Sequence, residues 1–539
     1  MNPLAAHPIL TCEAAKELET ALFAGDEARE WSAMTRAGGA IGAALENDFR
    51  ELGGLPADAR LLVLIGKGHN GGDALLAAKF LLERHPRARA ELLFAFGVRA
   101  LRPLVMRAYR ELVHAAPGRV ALPRSLAAIG GCEYAASLDG VFGFQFRAPV
   151  EPRLAALLAA ANRAPVRLRA AIDLPSALGT AEALRADFTY ATGSVKAPLL
   201  SEGNATQVGR VRYLDLGFFP GKTPGAPTPS SASDASPQMQ PTRASALPDF
   251  VLTPEILAPL RALRASQSDK RSHGHLFIVG GSRSFPGAVL MSALAALHAG
   301  AGLVTAFAPE SLAAAYAARV PEVMWVAWPE TPDGGLALDG LHLWRARAER
   351  ADALLLGPGL SREAETFALA RELVANATVP LVLDADALQP DIVRAGRAPR
   401  ILTPHAGEFA RLAEGKTLRE FSSWAAGGGV EAVTVLKGPH TAVCGEGQAI
   451  YHSFFGGPVL ARGGSGDLLA GLIGGLLAGD PHNLLETACR GVAWHGLAAD
   501  ALARARGQVA VRTTELLEFL PAALFAHGGE FIASEPGDH

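Results

Sequence analysis

Short apolar runs that stop at Gly, Asp or Pro, each followed by a longer stretch of helix-like spacing, recur along both halves of this chain. In the first half they are residues 61–65, 91–96 and 170–172, and in the second 275–279, 303–307, 353–356, 381–383 and 432–436. Strand and helix alternating in this way define a parallel α/β sheet. Residues 13–45, ahead of the first run, read as helical. Open parallel sheets bind ligands beyond the carboxyl ends of their strands, so polar residues near those ends are the candidates for chemistry. They are Asp73, Asp139 and Asp173 in the first half, and Asp384, Asp386, His405, Lys437 and Asp467 in the second.

With 539 residues the chain exceeds what one core usually serves, so two or more domains are expected. Residues 220–248 are rich in Pro, Ser, Ala and Thr without apolar periodicity and read as a flexible linker. That places domains at 1–219 and 249–527, followed by a polar tail at 528–539. A net charge of −3 offers no field for nucleic acid. The four cysteines are scattered with no CxxC pair, which suits a reducing compartment and argues against zinc or a disulfide framework. No secretory leader is visible, and the longest apolar run, 468–478, is too short to span a bilayer. The expectation is a soluble, cytoplasmic protein without a membrane partner, its thiols buried.

The most chemically specific motif is ARGGSGD, residues 461–467, opening into that apolar run. Glycines let backbone N–H groups converge on an oxyanion, and the following helix points its positive end at it. Asp467 then stands where it could remove a hydroxyl proton. In the first half, LLVLIGKGHNGGD (61–73) contains a literal GxGxxG, residues 66–71. A dinucleotide fingerprint would also want an acidic residue near the end of the next strand, whereas Glu91 lies at its start and FAFG ends it. What remains is a Gly-rich turn bearing Asn70 and Asp73, able to hold a hard cation or hydroxyls, or simply to turn the chain.

Three first-half motifs together resemble the YjeF N-terminal domain, the family of NAD(P)H-hydrate epimerases: HNGGDA (69–74), DGVFGFQ (139–145) and DLPSA (173–177). The resemblance implies a Rossmann-like three-layer α/β/α fold. It also implies that His69, Asn70, Gly71, Gly72, Asp73, Gly143 and Asp173 line a pocket for hydrated NADH or NADPH, with Asp173 the acid/base residue. Asn70, Asp139 and Ser176 would hold a potassium ion. The chain departs from the family pattern at Ala74, Phe144-Gln145 and Ala177, where glycine or Thr-Gly is usual, which alters backbone freedom and pocket shape.

In the second half LFIVGGS, HAGAGLVTAF, LLLGPGL, LVLDADAL, ILTPHAGEF, VLKGPHT and GGSGD follow in succession between residues 276 and 467. The series resembles the ADP/ATP-dependent NAD(P)H-hydrate dehydratases of the ribokinase-like superfamily, and implies their α/β fold. Residues 457–462 (GPVLAR) vary a run that is often Asn-Pro-Gly-Met-Ala-Thr in relatives. By this resemblance Ala288, Gly359, His405 and Asp467 line the hydrated-cofactor pocket. Lys437, Gly438, Pro439, His440, Thr441 and Gly466 hold the adenine nucleotide, ADP or ATP, and magnesium neutralises charge between phosphates. The whole is then similar to the bifunctional NAD(P)H-hydrate repair enzymes, which epimerise the R and S hydrates and dehydrate the S form, with AMP and phosphate left from ADP. A homo-oligomer acting on small molecules is expected.

Taken singly the residues admit plainer readings. His405 suits a hydrogen-bonded loop, Lys437 a charge at a strand end, and Asp384 and Asp386 helix caps as well as ligands. GGSGD serves an ordinary ribokinase-class small-molecule kinase equally well, with the first half a non-catalytic binding or scaffold module.

Overall fold

Seven strands of the first half lie side by side and all parallel: Val120–Ala121, Arg89–Phe94, Arg60–Ile65, Tyr134–Gly140, Val166–Ile172, Phe188–Thr192 and Arg210–Leu214. The chain starts in Arg60–Ile65, winds outward one way, and then resumes on the other side at Tyr134–Gly140. Between those two strands the winding reverses, and a crevice opens beyond their carboxyl ends. Leu61, Val63 and Ile65 face one apolar cluster and Leu62 and Leu64 another, so helices cover both faces of the sheet in three layers.

The second half repeats that order. Met324–Trp328, Leu303–Pro309, His275–Val279, Ala353–Leu356, Leu381–Leu383, Arg400–Leu402 and Ala432–Leu436 are parallel neighbours, with reversal between His275–Val279 and Ala353–Leu356. Thr441–Gly445 and Ile450–Ser453 continue it antiparallel. Phe250–Leu252 then pairs with Ile450–Ser453, Ala6–Leu10 with Phe250–Leu252, and Val195–Lys196 with Ala6–Leu10. Two strands from the first half therefore complete a twelve-stranded sheet that is otherwise the second half's. This computed structural model describes residues 4–123, 125–219, 248–427 and 429–525; apart from residue 248, the expected linker lies outside them, as does the polar tail.

Two expectations are refined. The helical stretch 13–45 is interrupted once: Cys12–Phe23 and Glu27–Phe49 are separated by Ala24, Gly25 and Asp26, the first two with φ of 49° and 75°. Asp26 then caps the second helix by accepting from the Ala28 and Arg29 N–H groups. Gly-Asp is a stop followed by a start, which apolar periodicity overlooks. The run at 91–96 begins two residues earlier, as Arg89–Phe94.

The apolar run 468–478 lies within the buried helix Ser465–Gly479. It packs so closely on Pro286–His298 that a Cβ on Gly471 would come within 2.2 Å of the Ser292 carbonyl oxygen. No helix among the described residues is long and apolar enough to cross a membrane. All four cysteines are free, Cys444 and Cys489 buried but Cys12 and Cys132 only partly so.

Candidate active sites

The reversal point of the first sheet is where its candidate residues gather. Arg60–Ile65 ends in a turn that passes directly into the helix His69–Arg84, and the loop after Tyr134–Gly140 lies across it. A Cβ on Gly66 would sit 2.1 Å from the Val141 carbonyl, so only glycine lets these two loops meet. Asn70 reaches under the second loop, donating from Nδ2 to the carbonyls of Ile172 (2.8 Å) and Phe142 (3.4 Å). Gly143 packs against the Asn70 amide, and His69 and Asp73 line the same cleft of about 450 Å³.

Asp139 is fully buried. Its carboxylate accepts from the Ser176 hydroxyl (2.6 Å), the Ser176 N–H (2.7 Å) and the Val141 N–H (3.2 Å). All three donors are neutral, and burial pushes its pKa up to about 6 despite them. A buried carboxylate without a counter-charge, beside the Ser176 hydroxyl, is an environment that a hard monovalent cation fits.

Asp173 follows Val166–Ile172 with φ of 67°, a left-handed conformation that costs about 1–2 kcal/mol for a non-glycine residue. It ion-pairs with Lys196, which is 1% exposed and also donates to the carbonyls of Thr192 (3.1 Å) and Ser194 (3.0 Å). The other Asp173 oxygen, Oδ2, is buried with no hydrogen-bond partner among the described residues. Burial raises the Asp173 pKa and Lys196 offsets part of the rise. Asp73 is pushed well above the carboxylate range, first by burial and then by Asp173 and Glu19. Glu19, on Cys12–Phe23, is pushed up to about 7, mainly by burial. One lysine thus serves three clustered carboxylates, a set that holds a proton near neutrality.

Sequence reading missed Lys196 and Glu19. Neither sits in a motif, and they are brought in by a two-residue strand and by the first helix. The departures from the family pattern have physical consequences here. Phe144 is 9% exposed with its ring 5.4 Å from Lys196 Nζ, roofing the Asp173 pair, and Ala177 takes φ of 62°, where a glycine would be unstrained.

In the second half Gly463 and Gly464 lead into Ser465–Gly479, with Gly464 at φ 91° and Asp467 in the first turn. The Ser292 hydroxyl donates to the Asp467 carbonyl (2.9 Å), tying the turn to the neighbouring helix. Burial raises the Asp467 pKa to about 6, with Asp384 adding to the rise and Lys437 opposing it. Lys437 Nζ donates to Asp384 Oδ1 (2.8 Å), which also accepts from the Thr403 hydroxyl (2.7 Å). The ammonium lies 3.3 Å from where a Cβ on Gly466 would be, so it faces the cradle. Burial alone would depress its pKa, but Asp384, Glu408 and Asp467 outweigh that and raise it.

The two adjacent aspartates are separated by the structure. Asp384 is buried in the site, whereas Asp386 pairs with Arg362 on the surface. His405 caps the helix Ala406–Ala413: its Nδ1 accepts from the Gly407 (3.0 Å) and Glu408 (3.2 Å) N–H groups, and Glu408 accepts from the His405 N–H (2.8 Å). With Nδ1 an acceptor, the neutral ring carries its proton on Nε2, which is directed outward to within 3.4 Å of Glu408.

Ala288 and Gly359 meet at this sheet's reversal point, 2.9 Å separating the Ala288 Cβ from the position of a Cβ on Gly359. Gly438 and Pro439 form the exposed turn before Thr441–Gly445. His440 packs against His452 and Phe454, and burial depresses its pKa to about 4.

Fold and sites together define a two-part α/β enzyme. Each part has its site at a sheet reversal, one a carboxylate-lined cleft and the other a glycine cradle with an acidic residue. A family described as NAD(P)H-hydrate dehydratase matches residues 276–522, and one described as YjeF-related protein N-terminus matches 32–197. The bifunctional NAD(P)H-hydrate repair enzyme Nnr of Moorella thermoacetica is 32% identical, covering 91% of this chain and 92% of its own. That of Gloeobacter violaceus is 35% identical over 93% and 95%. Among solved structures, the ADP/ATP-dependent NAD(P)H-hydrate dehydratase from Bacillus subtilis co-crystallised with ATP/Mg2+ is 28% identical, with 50% of this chain and 96% of that one covered and a TM-score of 0.43. The chain belongs to the family of bifunctional NAD(P)H-hydrate repair enzymes.

Proposed function

We propose that the first part, residues 1–219, interconverts the R and S forms of hydrated NADH or NADPH, and that the second, 249–527, dehydrates the S form at the expense of ADP. The observation that carries the reading is the cradle: a carboxylate in the first turn of a glycine-led helix, with a pKa of about 6, facing a site that also presents the half-buried Lys437.

Asp467 removes the proton from the hydroxyl on C6 of the hydrate, and the backbone N–H groups of residues 463–466 hold the transferring phosphoryl group. Lys437 supplies positive charge beside it. Magnesium brought with the nucleotide would supply positive charge at its phosphates, and Asp384 and Glu408, which face Lys437, are the carboxylates that would lie in its field. The ring nitrogen's lone pair then expels phosphate from C6, and loss of a proton from the adjacent C5 to solvent restores the ring double bond and the nitrogen lone pair, leaving AMP and phosphate from ADP.

At the other site Asp173 is the acid/base group. Lys196 sets its charge, and Asp73 and Glu19 hold a proton close by. Asn70, Asp139 and Ser176 are the residues to which we assign potassium, on the strength of the uncompensated carboxylate. Hydrated cofactor would lie across His69 to Asp73 and Gly143 in the first cleft, and across Ala288, Gly359 and His405 in the second. The nucleotide would lie along Lys437 to Thr441 and Gly466. Four unpaired thiols suit a reducing compartment, and the cytoplasm is the one we assign, with a homo-oligomeric enzyme.

The test is recovery of reduced-nicotinamide absorbance from mixed R and S hydrates with ADP, magnesium and potassium. Full recovery faster than spontaneous epimerisation is expected. Release of a stable phosphorylated alcohol instead would return the chain to the small-molecule kinases.

A further inference from the structure

The cradle has a lead-in loop, residues 454–464, between the strand Ile450–Ser453 and the helix Ser465–Gly479. Both backbone groups of Gly456 in that loop are held. Its N–H donates to Asp500 Oδ2 (3.0 Å), and its carbonyl accepts from Arg210 (3.0 Å). Arg210 also donates to Asp500 Oδ1 (3.1 Å), closing a triangle around the glycine. The guanidinium lies so tightly on the next residue that a Cβ on Gly457 would be 2.4 Å from Arg210 Cζ. Asp500 belongs to the second half, on Leu484–Arg506, but Arg210 belongs to the last strand of the first half, Arg210–Leu214.

Arg210 is itself held from its own half. It donates to Glu51 (2.7 Å), while Arg212, from the same strand, bonds both Asp500 oxygens (2.8 and 2.9 Å) and Asp48 (3.0 Å). These carboxylates are almost wholly buried, so their charges interact through little water. Glu51 accepts from a second donor, Gln508, and that contact leads to the other end of the loop. Arg462, immediately before the cradle glycines, is the basic residue one would expect to find on a phosphate. Instead its guanidinium is spent on the carbonyls of Gln508 (2.6 Å), Val509 (2.6 Å) and Val511 (2.9 Å). Thr513 donates to the Gly463 carbonyl (2.9 Å). Glu51 of the first half therefore sits where two struts meet, one through Arg210 to Gly456 and one through Gln508 to the segment that ties down Arg462 and Gly463.

We infer that the first half positions the phosphate cradle of the second, with Arg210 the positioning residue. This inference rests on the phosphoryl-transfer reading of the cradle. Transition-state stabilisation by backbone N–H groups depends on their being fixed before charge develops, so a loop freed to shift loses rate rather than ground-state affinity. The first half would then contribute to dehydration as well as to epimerisation, through contacts that lie outside its own cleft.

The test uses the full chain and pure S hydrate, with epimerisation followed separately. Arg210→Lys keeps the charge and the stem but loses the fork that reaches Gly456, Asp500 and Glu51 together. Gly457→Ala leaves every charge in place, strains no backbone at φ 177°, and puts a methyl where the guanidinium lies. For both we expect kcat of dehydration to fall about tenfold with KM for ADP within about threefold and epimerisation unchanged. A merely structural role would damage epimerisation at least as much, since Arg210 is in that half's sheet. Dehydration at the wild-type kcat in both variants overturns the inference, as does parallel loss of the two activities. If Arg210→Lys does not fold, Gly457→Ala decides alone. Failure of the wild-type chain to dehydrate the hydrate would instead reject the parent reading.

Discussion

The proposed base, Asp467, should set the acid limb of the dehydration rate, and its neighbours should move that limb in opposite directions. Its pKa of about 6 has burial as the main cause, Asp384 as a second upward contribution and Lys437 as a downward one. Only the ionised form accepts a proton, so at about pH 5 roughly a tenth of the enzyme is competent and the rate should be about tenfold below its plateau. Asp384→Asn removes a negative neighbour, which favours ionisation and moves the limb to lower pH. Lys437→Met removes a positive one and moves it to higher pH. The assay is the initial rate of absorbance recovery from S hydrate between about pH 5 and 8, at saturating ADP and magnesium, corrected with enzyme-free controls because reduced nicotinamides decay in acid. An acid limb in the ordinary carboxylate range near about 4, or a shift of both variants in the same direction, would refute the assignment.

Asp467→Asn keeps shape and hydrogen bonding, and should lower kcat of dehydration by about 10²–10⁴ with epimerisation retained, checked by running both assays on one preparation. Lys196→Met strands Asp173 in a buried site and should cost about 3–5 kcal/mol in denaturant unfolding, while epimerisation is lost; a stability near wild type would show that the pair is not what holds this loop. Ala177→Gly, relieving a left-handed alanine at φ 62°, should stabilise the fold by somewhat under about 1 kcal/mol, and a lower melting temperature would count against strain at that turn. For Asp139 the sign runs as a raised carboxylate requires. Its folded pKa of about 6 lies above the unfolded value of about 3.9, so this group adds stability as pH falls between the two, by up to about 3 kcal/mol. Potassium favours the ionised form and should raise the melting temperature at neutral pH but not near about pH 5; an equal rise with a bulky organic cation would remove Asp139 from the cation's site.

The sequence carried the architecture where periodicity and punctuation agreed. The eight apolar runs all became strands, and the glycine motifs fell at the two sheet reversals, because close approach of backbone there leaves room for nothing else. It failed where pairing is remote. Phe250–Leu252 and Val195–Lys196 are too short to show a period, and nothing local tells that Ala6–Leu10 belongs to the other half's sheet. Lys196, Glu19 and Arg210 were invisible for the same reason, since each acts through a partner distant in the chain. Asp384 and Asp386 were indistinguishable as neighbours in sequence, and only the strand end, by aiming one inward and the other at Arg362, separates them.

The pairing of Ala6–Leu10 with Phe250–Leu252 has a consequence in time. Ala6–Leu10 hydrogen-bonds to a strand made about 240 residues later, which at about 5–20 residues per second is an interval of about 12–50 s. Throughout it, an extended segment with its edge unpaired is tethered to a first half that is otherwise able to assemble. Ala6–Leu10 is therefore among the last elements to find its place, and a bulky insertion beside it would be felt in the sheet of the opposite half.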